Sequence, residues 1–402
     1  MKRIEPRRVA GGVTYVGAVD AGLRVFDVVM HTPYGTTYNA YLVQGKEKCA
    51  LVEVVKDAFG PALIDALGDL IDIAKLDYIV LNHTEPDHSG ALAQLLKEAP
   101  DAVVVCSRAA SVFLRDITNM PFAVQVVGDG DSIDLGGKTL QFISAPFLHW
   151  PDTMFTYIPE EELLITGDVF GCHYAIEADL WSDSYPTSDL DSARKYYFDA
   201  IMGPFKSYMR AGIEKARRVK ARIIAPSHGP LLREEAARVV DLNAQWAAPE
   251  EKKSDKKRVF IGYVSCYGFT RALAMRVREA VEAAGLVADC FDVSVDFARA
   301  VRAAMASDAI ILGSPTINRD ALKPVWDLTC GLSVYAVTGR PAATFGSYGW
   351  SGEAPGMLQD RLASLGMRIV ADCLRVKFRP TQQDLDAAYT LGQTVAAALE
   401  TK

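Results

Sequence analysis

The stretch Tyr78-Ile79-Val80-Leu81-Asn82-His83-Thr84-Glu85-Pro86-Asp87-His88-Ser89-Gly90 changes character in one step. Its first four residues are β-prone and apolar or aromatic, so they read as a strand. The next residues carry four side chains of metal-ligand type, His83, Glu85, Asp87 and His88. Two imidazoles and two carboxylates on one short loop at a strand end can converge on a cation. The plain alternative is a loop polar by accident, because histidines and acidic residues are common in loops and short motifs match falsely.

The same arrangement recurs. His149 follows the apolar run Ala145-Pro146-Phe147-Leu148, Asp168 follows Leu163-Leu164-Ile165-Thr166-Gly167, and His228 closes Arg222-Ile223-Ile224-Ala225-Pro226-Ser227. Four of the six histidines thus stand at the ends of predicted strands, and a sheet can bring such ends to one edge. The other two, His31 and His173, do not. His173 reads equally well as a pocket-lining or a structural side chain, and His31 as an ordinary one. Asp152 reads as the polar half of a Pro-Asp turn, with a contact to a ligand histidine as the alternative. Tyr196 and Tyr197 read as core anchors at the start of an amphipathic segment, although their hydroxyls could face a bound substrate.

Around these motifs the chain divides. Pro249 to Arg258, PEEKKSDKKR, has no large apolar side chain and eight charged ones, so it cannot bury itself and reads as a linker. The expected domains are 1–248 and 258–402, joined by 249–257. In the first, strands are expected at 37–43, 50–55, 78–82, 102–106, 138–145 and 162–166, and helices at 61–75 and 89–98. In the second, strands at 258–264, 287–292, 309–312 and 342–345 alternate with helices at 270–284 and 297–307, a pattern that favours a parallel sheet wrapped by helices.

Three loops of the second domain follow apolar strands on their carboxyl side: Ser265-Cys266-Tyr267-Gly268-Phe269-Thr270, Ser314-Pro315-Thr316-Ile317-Asn318 and Ser347-Tyr348-Gly349-Trp350. The first can wrap a phosphate with backbone N–H groups, the hydroxyls of Ser265 and Thr270, and a helix N-terminus. A helix cap at Thr270 and nothing more is the plain alternative. No G-K-[ST] follows, which excludes a nucleotide triphosphatase loop, and no G-x-G-x-x-G supports a dinucleotide. Glycines in the later loops allow close approach to a flat ring, and Tyr348 or Trp350 can stack on it.

Composition bounds what remains. The 402 residues are 50% apolar and 23% charged, with a formal net charge of -7, values of a globular chain whose task is not neutralising nucleic-acid phosphates. The basic start lacks a signal-peptide apolar core, and no apolar run reaches the roughly 18 residues of a membrane span. No nucleic-acid or membrane partner and a cytoplasmic location are expected. Seven cysteines without a C-x-x-C pair argue against disulfides and cysteine-held clusters.

The first domain resembles the metallo-β-lactamase superfamily, in which an H-x-H-x-D-H loop and later His, Asp and His residues hold two metals. The order matches with one departure, Glu85 in place of the second histidine. Carboxylate for imidazole makes the set harder and suits iron. The resemblance implies a site of two non-haem irons in which one takes His83, Glu85 and His149, the other Asp87, His88 and His228, and Asp168 bridges. The second domain resembles flavodoxin, which implies FMN with its phosphate in the first loop and its ring between the second and third.

Together the halves resemble the flavodiiron proteins, or A-type flavoproteins, including Gly35-Thr36-Thr37-Tyr38-Asn39-Ala40-Tyr41-Leu42-Val43, His149-Trp150-Pro151-Asp152 and Gly349-Trp350-Ser351-Gly352. The fold implied is α/β, a metallo-β-lactamase-like αββα sandwich followed by a flavodoxin-like doubly wound parallel sheet. The activity implied is reduction of dioxygen to water, nitric oxide to nitrous oxide, or both, in a head-to-tail homodimer or a tetramer of such dimers. The donor is expected to be external: a rubredoxin first, then a deazaflavin cofactor or a reductase. Many relatives carry a histidine after a Phe ahead of the Gly35 segment; Asp27 follows Phe26 here, a departure that bears on proton delivery or gas preference. The competing class is a dizinc hydrolase with an accessory flavodoxin domain, against which Glu85 and the three loops argue.

Overall fold

The computed structural model describes residues 3–27, 30–249 and 256–400. It divides into two compact units, Met1–Pro249 and Glu250–Lys402. Residues 250–255 of the expected linker lie outside the described residues.

In the first unit, Tyr41–Gln44, Cys49–Val52, Tyr78–Leu81, Val103–Cys106 and Val124–Val126 lie side by side, extended at the other edge by the hairpin Arg7–Ala10 and Val13–Tyr15. Pairing is antiparallel up to Cys49–Val52 and parallel beyond it. A second sheet orders Ser132–Asp134, Thr139–Ser144, Met154–Ile158 and Leu163–Ile165 antiparallel, with Ile223–Ala225 added parallel to the last. Alternation along the strands separates two cores. Tyr41, Val43, Val52, Val80 and Val105 face Leu140, Phe142, Ile158 and Ile165 of the other sheet. Their neighbours Leu42, Leu51, Ile79, Leu81 and Val104 pack instead with Leu63, Leu67, Leu92 and Leu114, which belong to helices Gly60–Gly68, Leu92–Glu98 and Arg108–Thr118. On the far side, helices Lys206–Arg218 and Ala236–Ala247 cover the second sheet. The result is the αββα sandwich. Full burial of each such Leu or Val contributes about 1.5–3 kcal/mol against solvent.

Three departures from the sequence expectation position chemistry. The run 37–43 is broken into Thr36–Tyr38 and Tyr41–Gln44, because Asn39 leaves the ladder to donate its N–H to Ser227 O. The expected helix 61–75 stops at Gly68, and Ile73–Lys75 forms only a 3-10 turn. The expected helix 89–98 begins at Leu92; Ser89 instead ends a one-turn helix, Pro86–Ser89, that carries Asp87 and His88.

The second unit is a parallel sheet ordered Val287–Asp292, Arg258–Tyr263, Ala309–Gly313, Pro341–Tyr348, with Arg368–Ile369 and Leu374–Lys377 both on the outer side of the last. Phe260, Ile310 and Leu312 face helices Phe297–Met305, Lys323–Cys330 and Ala354–Ser364. Val259, Ile261 and Ile311 face Phe269–Ala283 and Gln382–Glu400. In order of sequence the strands run second, first, third, fourth, fifth, so the winding reverses between Arg258–Tyr263 and Ala309–Gly313. In sheets of this type ligands bind in the crevice outside the strand ends at that reversal. Among the described residues no helix is long and apolar enough to cross a membrane.

Candidate functional site

Asn82 sets up the first site. It lies between the two sheets, accepting from Thr156 Oγ1 at 2.7 Å and receiving Met154 N at its carbonyl at 2.7 Å, while its own N–H donates to Glu53 Oε1 at 3.0 Å. The loop that follows is therefore registered against both sheets. Thr84 Oγ1 donates to Asp152 Oδ2 at 2.8 Å, and Ser89 Oγ donates to Thr84 O at 2.8 Å. Asp152 is thus neither a simple turn residue nor a partner of His149 but a buried brace for the loop.

All seven expected ligand residues meet. His83, Glu85, His149 and Asp168 place one ligand atom each within 4.8 Å of one another, and Asp87, His88 and His228 do the same. His149 Nε2 is 2.8 Å from Glu85 Oε2, and Asp87 Oδ2 is 3.1 Å from both His88 Nε2 and His228 Nε2. Asp168 spans the groups: Oδ2 lies 3.4 Å from His83 Nε2 and 3.3 Å from His149 Nε2, while Oδ1 lies 3.2 Å from His88 Nε2 and 3.6 Å from His228 Nε2.

These contacts are not a satisfied hydrogen-bond network. Both nitrogens of His83, both oxygens of Asp87, His88 Nδ1 and Asp168 Oδ1 are buried without hydrogen-bond partners, and His88 Nε2 faces His228 Nε2 at 3.1 Å. Each buried polar atom left unpaired costs about 1–3 kcal/mol, and convergent lone pairs are relieved by cations between them. The donor set, four imidazoles and three carboxylates, fits two irons. Electrostatics agree: burial opposes the charge of Asp87, but His88 and His228 hold its carboxyl well below the usual range. Burial likewise opposes protonation of His149, yet Asp168 and Glu85 push its pKa up to about 10, the mark of an anionic cage.

Local structure fixes His228 and its loop. His228 Nδ1 lies 2.5 Å from Thr37 O, so that nitrogen carries the proton and Nε2 turns inward. Gly229, at φ +78°, donates its N–H to Thr37 Oγ1 at 2.7 Å, and a Cβ there would strike Cys172 O. Asn39 Nδ2 donates to Pro226 O at 2.7 Å and Gly229 O at 2.9 Å, clamping the loop from both sides of His228. Glu53, fully buried at φ +64°, has its pKa raised to about 7 by burial. Asn39, Thr37 and Glu53 were not singled out from sequence as site residues; a polar residue interrupting a β run was the available signal.

His173 is both structural and site-adjacent: buried, it packs at a tilt against Phe26 with ring centroids 4.3 Å apart and shares a 2.9 Å hydrogen bond between Nδ1 and Thr36 Oγ1. Tyr196 and Tyr197 end, rather than begin, helix Thr187–Tyr197. Tyr197 is buried, and burial together with the charges of Asp168 and Glu85 raises its pKa well above that of free tyrosine. Tyr196 is exposed and accepts His31 N at 3.3 Å. Asp27 takes φ +46°, and burial with the charges of Glu85 and Asp87 raises its pKa.

In the second unit, the three loops leave the expected strand ends. Gly268, at φ +82°, is the N-cap of helix Phe269–Ala283 and has no side chain to cap it. Thr270 is not the cap; it lies in the first turn, and its buried hydroxyl meets Ser347 Oγ at 2.8 Å, joining the first and third loops. Ser265 Oγ accepts Arg271 N at 3.2 Å. The strand Pro341–Tyr348 runs further than expected, so Ser347 and Tyr348 end the strand itself, and Ser347 O receives Thr316 N at 2.9 Å. Ser314 Oγ accepts Leu322 N at 2.9 Å, and Asn318 takes φ +54°. Pro315 and Ile317 belong to the same loop, Cys266 to the first and Gly349 to the third. Gly346 passes so close to Ser314 O that any Cβ would collide. Tyr267 and Trp350 are 83% and 90% exposed, large aromatic faces left to water at the crevice. A helix N-terminus entered through glycine, with open aromatic rings beside it, suits a phosphate-bearing flat ligand such as FMN.

Comparisons with known proteins bear on both units. The family model ODP family beta lactamase matches residues 36–229, and Flavodoxin matches 261–392. Flavo-diiron protein FprA2 of Clostridium acetobutylicum is 35% identical over 98% of this chain and 99% of its own length. Nitric oxide reductase of Moorella thermoacetica is 35% identical over 98% and 99%. Among solved structures, rubredoxin oxygen:oxidoreductase from Desulfovibrio gigas superposes with a TM-score of 0.67 at 29% identity, covering 98% of this chain and 99% of that one.

Proposed function

The chain belongs to the flavodiiron, or type A flavoprotein, family, an oxidoreductase family whose cofactors are FMN and a diiron centre, and on that premise we propose that it reduces dioxygen to water, nitric oxide to nitrous oxide, or both. The observation that carries this reading is the span of Asp168, one oxygen toward each donor group, with Glu85 standing where an imidazole would favour zinc. The ligand set we assign is His83, Glu85 and His149 to one iron, Asp87, His88 and His228 to the other, and Asp168 to both. When bound, the two irons and reduced FMN together supply the four electrons that dioxygen requires, or the two that a pair of nitric oxide molecules requires.

The chain's own groups prepare the site. Thr37 O fixes the His228 tautomer, Asp152 braces the loop through Thr84, and Glu53 holds Asn82 N. Tyr197 keeps its proton near Asp168, so it presents a neutral O–H toward the centre. In the other unit, Ser265 to Thr270 would hold the FMN phosphate, with Ser314 to Asn318 and Ser347 to Trp350 flanking its ring. The relay is assigned to a head-to-tail homodimer in which one subunit's FMN serves the other's irons, fed by an external donor such as rubredoxin. The free cysteines support a cytoplasmic home. The test is to load the protein with iron and FMN, reduce it without air and add either gas. Stoichiometric oxidation with water or nitrous oxide as product is expected; zinc content with ester or phosphodiester hydrolysis and no gas reduction would sink the reading. Light scattering showing only monomer in active protein would remove the relay.

A further inference from the structure

A cavity of about 260 Å³ lies beside the metal-ligand cluster in the first unit, and its walls include His31, Tyr34, His173, Ala193, Tyr196 and Tyr197. Its outer end is open: His31 and Tyr196 are both exposed. Its inner end is not, because His173 and Tyr197 are 5% and 3% exposed and their rings lie 4.8 and 6.1 Å from the ring of His228. One layer of side chains therefore separates the cavity from the cluster.

The walls are held by contacts of their own, with one buried polar atom, His173 Nε2, left without a hydrogen-bond partner. The Tyr196 hydroxyl accepts His31 N at 3.3 Å, His173 Nδ1 is engaged with Thr36 Oγ1 at 2.9 Å, and Tyr34 stacks on Tyr174 at 5.0 Å. What remains facing inward is mostly ring carbon and methyl. A cavity of that lining disfavours ions and hydrogen-bonding solutes and accepts small apolar guests. At about 30 Å³ per water-sized molecule, it has room for more than one diatomic.

We propose that this cavity is the entry chamber for an apolar diatomic gas, with His173 and Tyr197 as its inner threshold and Ala193 as the wall position that sets its free space. The proposal rests on the gas-reducing function given above. Under it, gas partitions out of water at the His31 and Tyr196 mouth and collects next to the ligand cluster, whereas a polar ester or phosphodiester finds a lining that is mostly apolar.

Ala193→Phe fills the chamber from helix Thr187–Tyr197, and Tyr196→Trp narrows the mouth at an exposed position where folding is not at stake. Each variant is prepared as dimeric holoenzyme, matched in iron and FMN, reduced, and mixed with dioxygen or nitric oxide in a stopped-flow instrument. The second-order reoxidation constant at low gas is expected to fall about tenfold in Ala193→Phe and by less in Tyr196→Trp, with the rate at saturating gas retained. Crystals under xenon pressure should hold xenon in the wild-type chamber and none in Ala193→Phe. Unaltered second-order constants in both variants, alongside intact wild-type gas reduction, would overturn the chamber alone. Wild-type holoenzyme that neither gas reoxidises would overturn the functional reading, and the chamber with it.

Discussion

The metal-ligand cluster and the flavin crevice both stand at the carboxyl ends of strands, yet they are made of opposite materials. The cluster is made of buried and half-buried side chains, and its surroundings are braced by buried contacts: Asn82 by both sheets, His228 by Thr37, its loop by Asn39. The crevice is backbone turns and exposed rings, with Tyr267 and Trp350 almost wholly in water. The difference follows from what is held. An ion is bound by a few atoms whose positions must be set to fractions of an ångström, so its ligands need bracing. A flat ring with a phosphate tail is bound by shape and by amides that any residue supplies.

This contrast can be broken by substitutions that strike one site and spare the other. The largest effect is expected from Asp168→Asn, which removes the charge shared by both donor groups: iron measured per chain should fall by more than half and gas reduction by more than about 100-fold, with FMN absorbance retained. Next is Glu53→Ala, which touches no assigned ligand but releases Asn82 N. Iron affinity from competition with a chelator should weaken about 10–100-fold, and unchanged affinity would show that the loop needs no such brace. On the other side, Thr270→Val removes the link to Ser347 Oγ; FMN binding followed by flavin fluorescence should weaken by about 1 kcal/mol, with iron content unmoved. Loss of iron in that variant would mean that the two sites are not independent.

The smallest effect tests a charge belonging to neither site. Glu235 receives Arg194 at 2.5 Å and Arg238 at 2.8 Å, and although burial opposes its charge, the two guanidiniums lower its pKa to about 2. A depressed carboxylate contributes stability above its unfolded pKa of about 4.5 and loses it as pH falls through about 2. Glu235→Gln should therefore be less stable than wild type by about 1 kcal/mol at neutral pH after solvent screening. Urea titrations should show the gap closing between about pH 4.5 and 2; a gap independent of pH would assign the loss to packing.

How much could be read beforehand differs between the sites for the same physical reason. Histidine and acidic residues after apolar runs announce ligands because side-chain identity is the chemistry, and all seven converge. The parallel sheet of the second unit is likewise legible in alternating strands and helices. The bracing residues are not legible, because Glu53, Thr37 and Asn39 act on partners far away in sequence, 29 residues from Glu53 to Asn82 and 191 from Thr37 to His228. Asn39 sits inside a run whose composition simply reads as strand. Thr270 was weighed as a cap because local chemistry permits it; only the fold brings Ser347 within reach, 77 residues on. Tyr196 and Tyr197 read as the start of an amphipathic segment yet end helix Thr187–Tyr197, which starts from Pro186 with no side-chain cap to mark it.

The break in the strand at Asn39 has a consequence for dynamics. Its amide hydrogen is shielded not by a neighbouring strand but by Ser227 O, one residue before His228. Exchange of that hydrogen with solvent deuterium therefore depends on the opening of a single loop, while its ladder-bonded neighbours in Tyr41–Gln44 wait for the sheet itself to open. Removing metal should speed exchange at Asn39 selectively, which makes one backbone amide a native gauge of whether the centre is loaded.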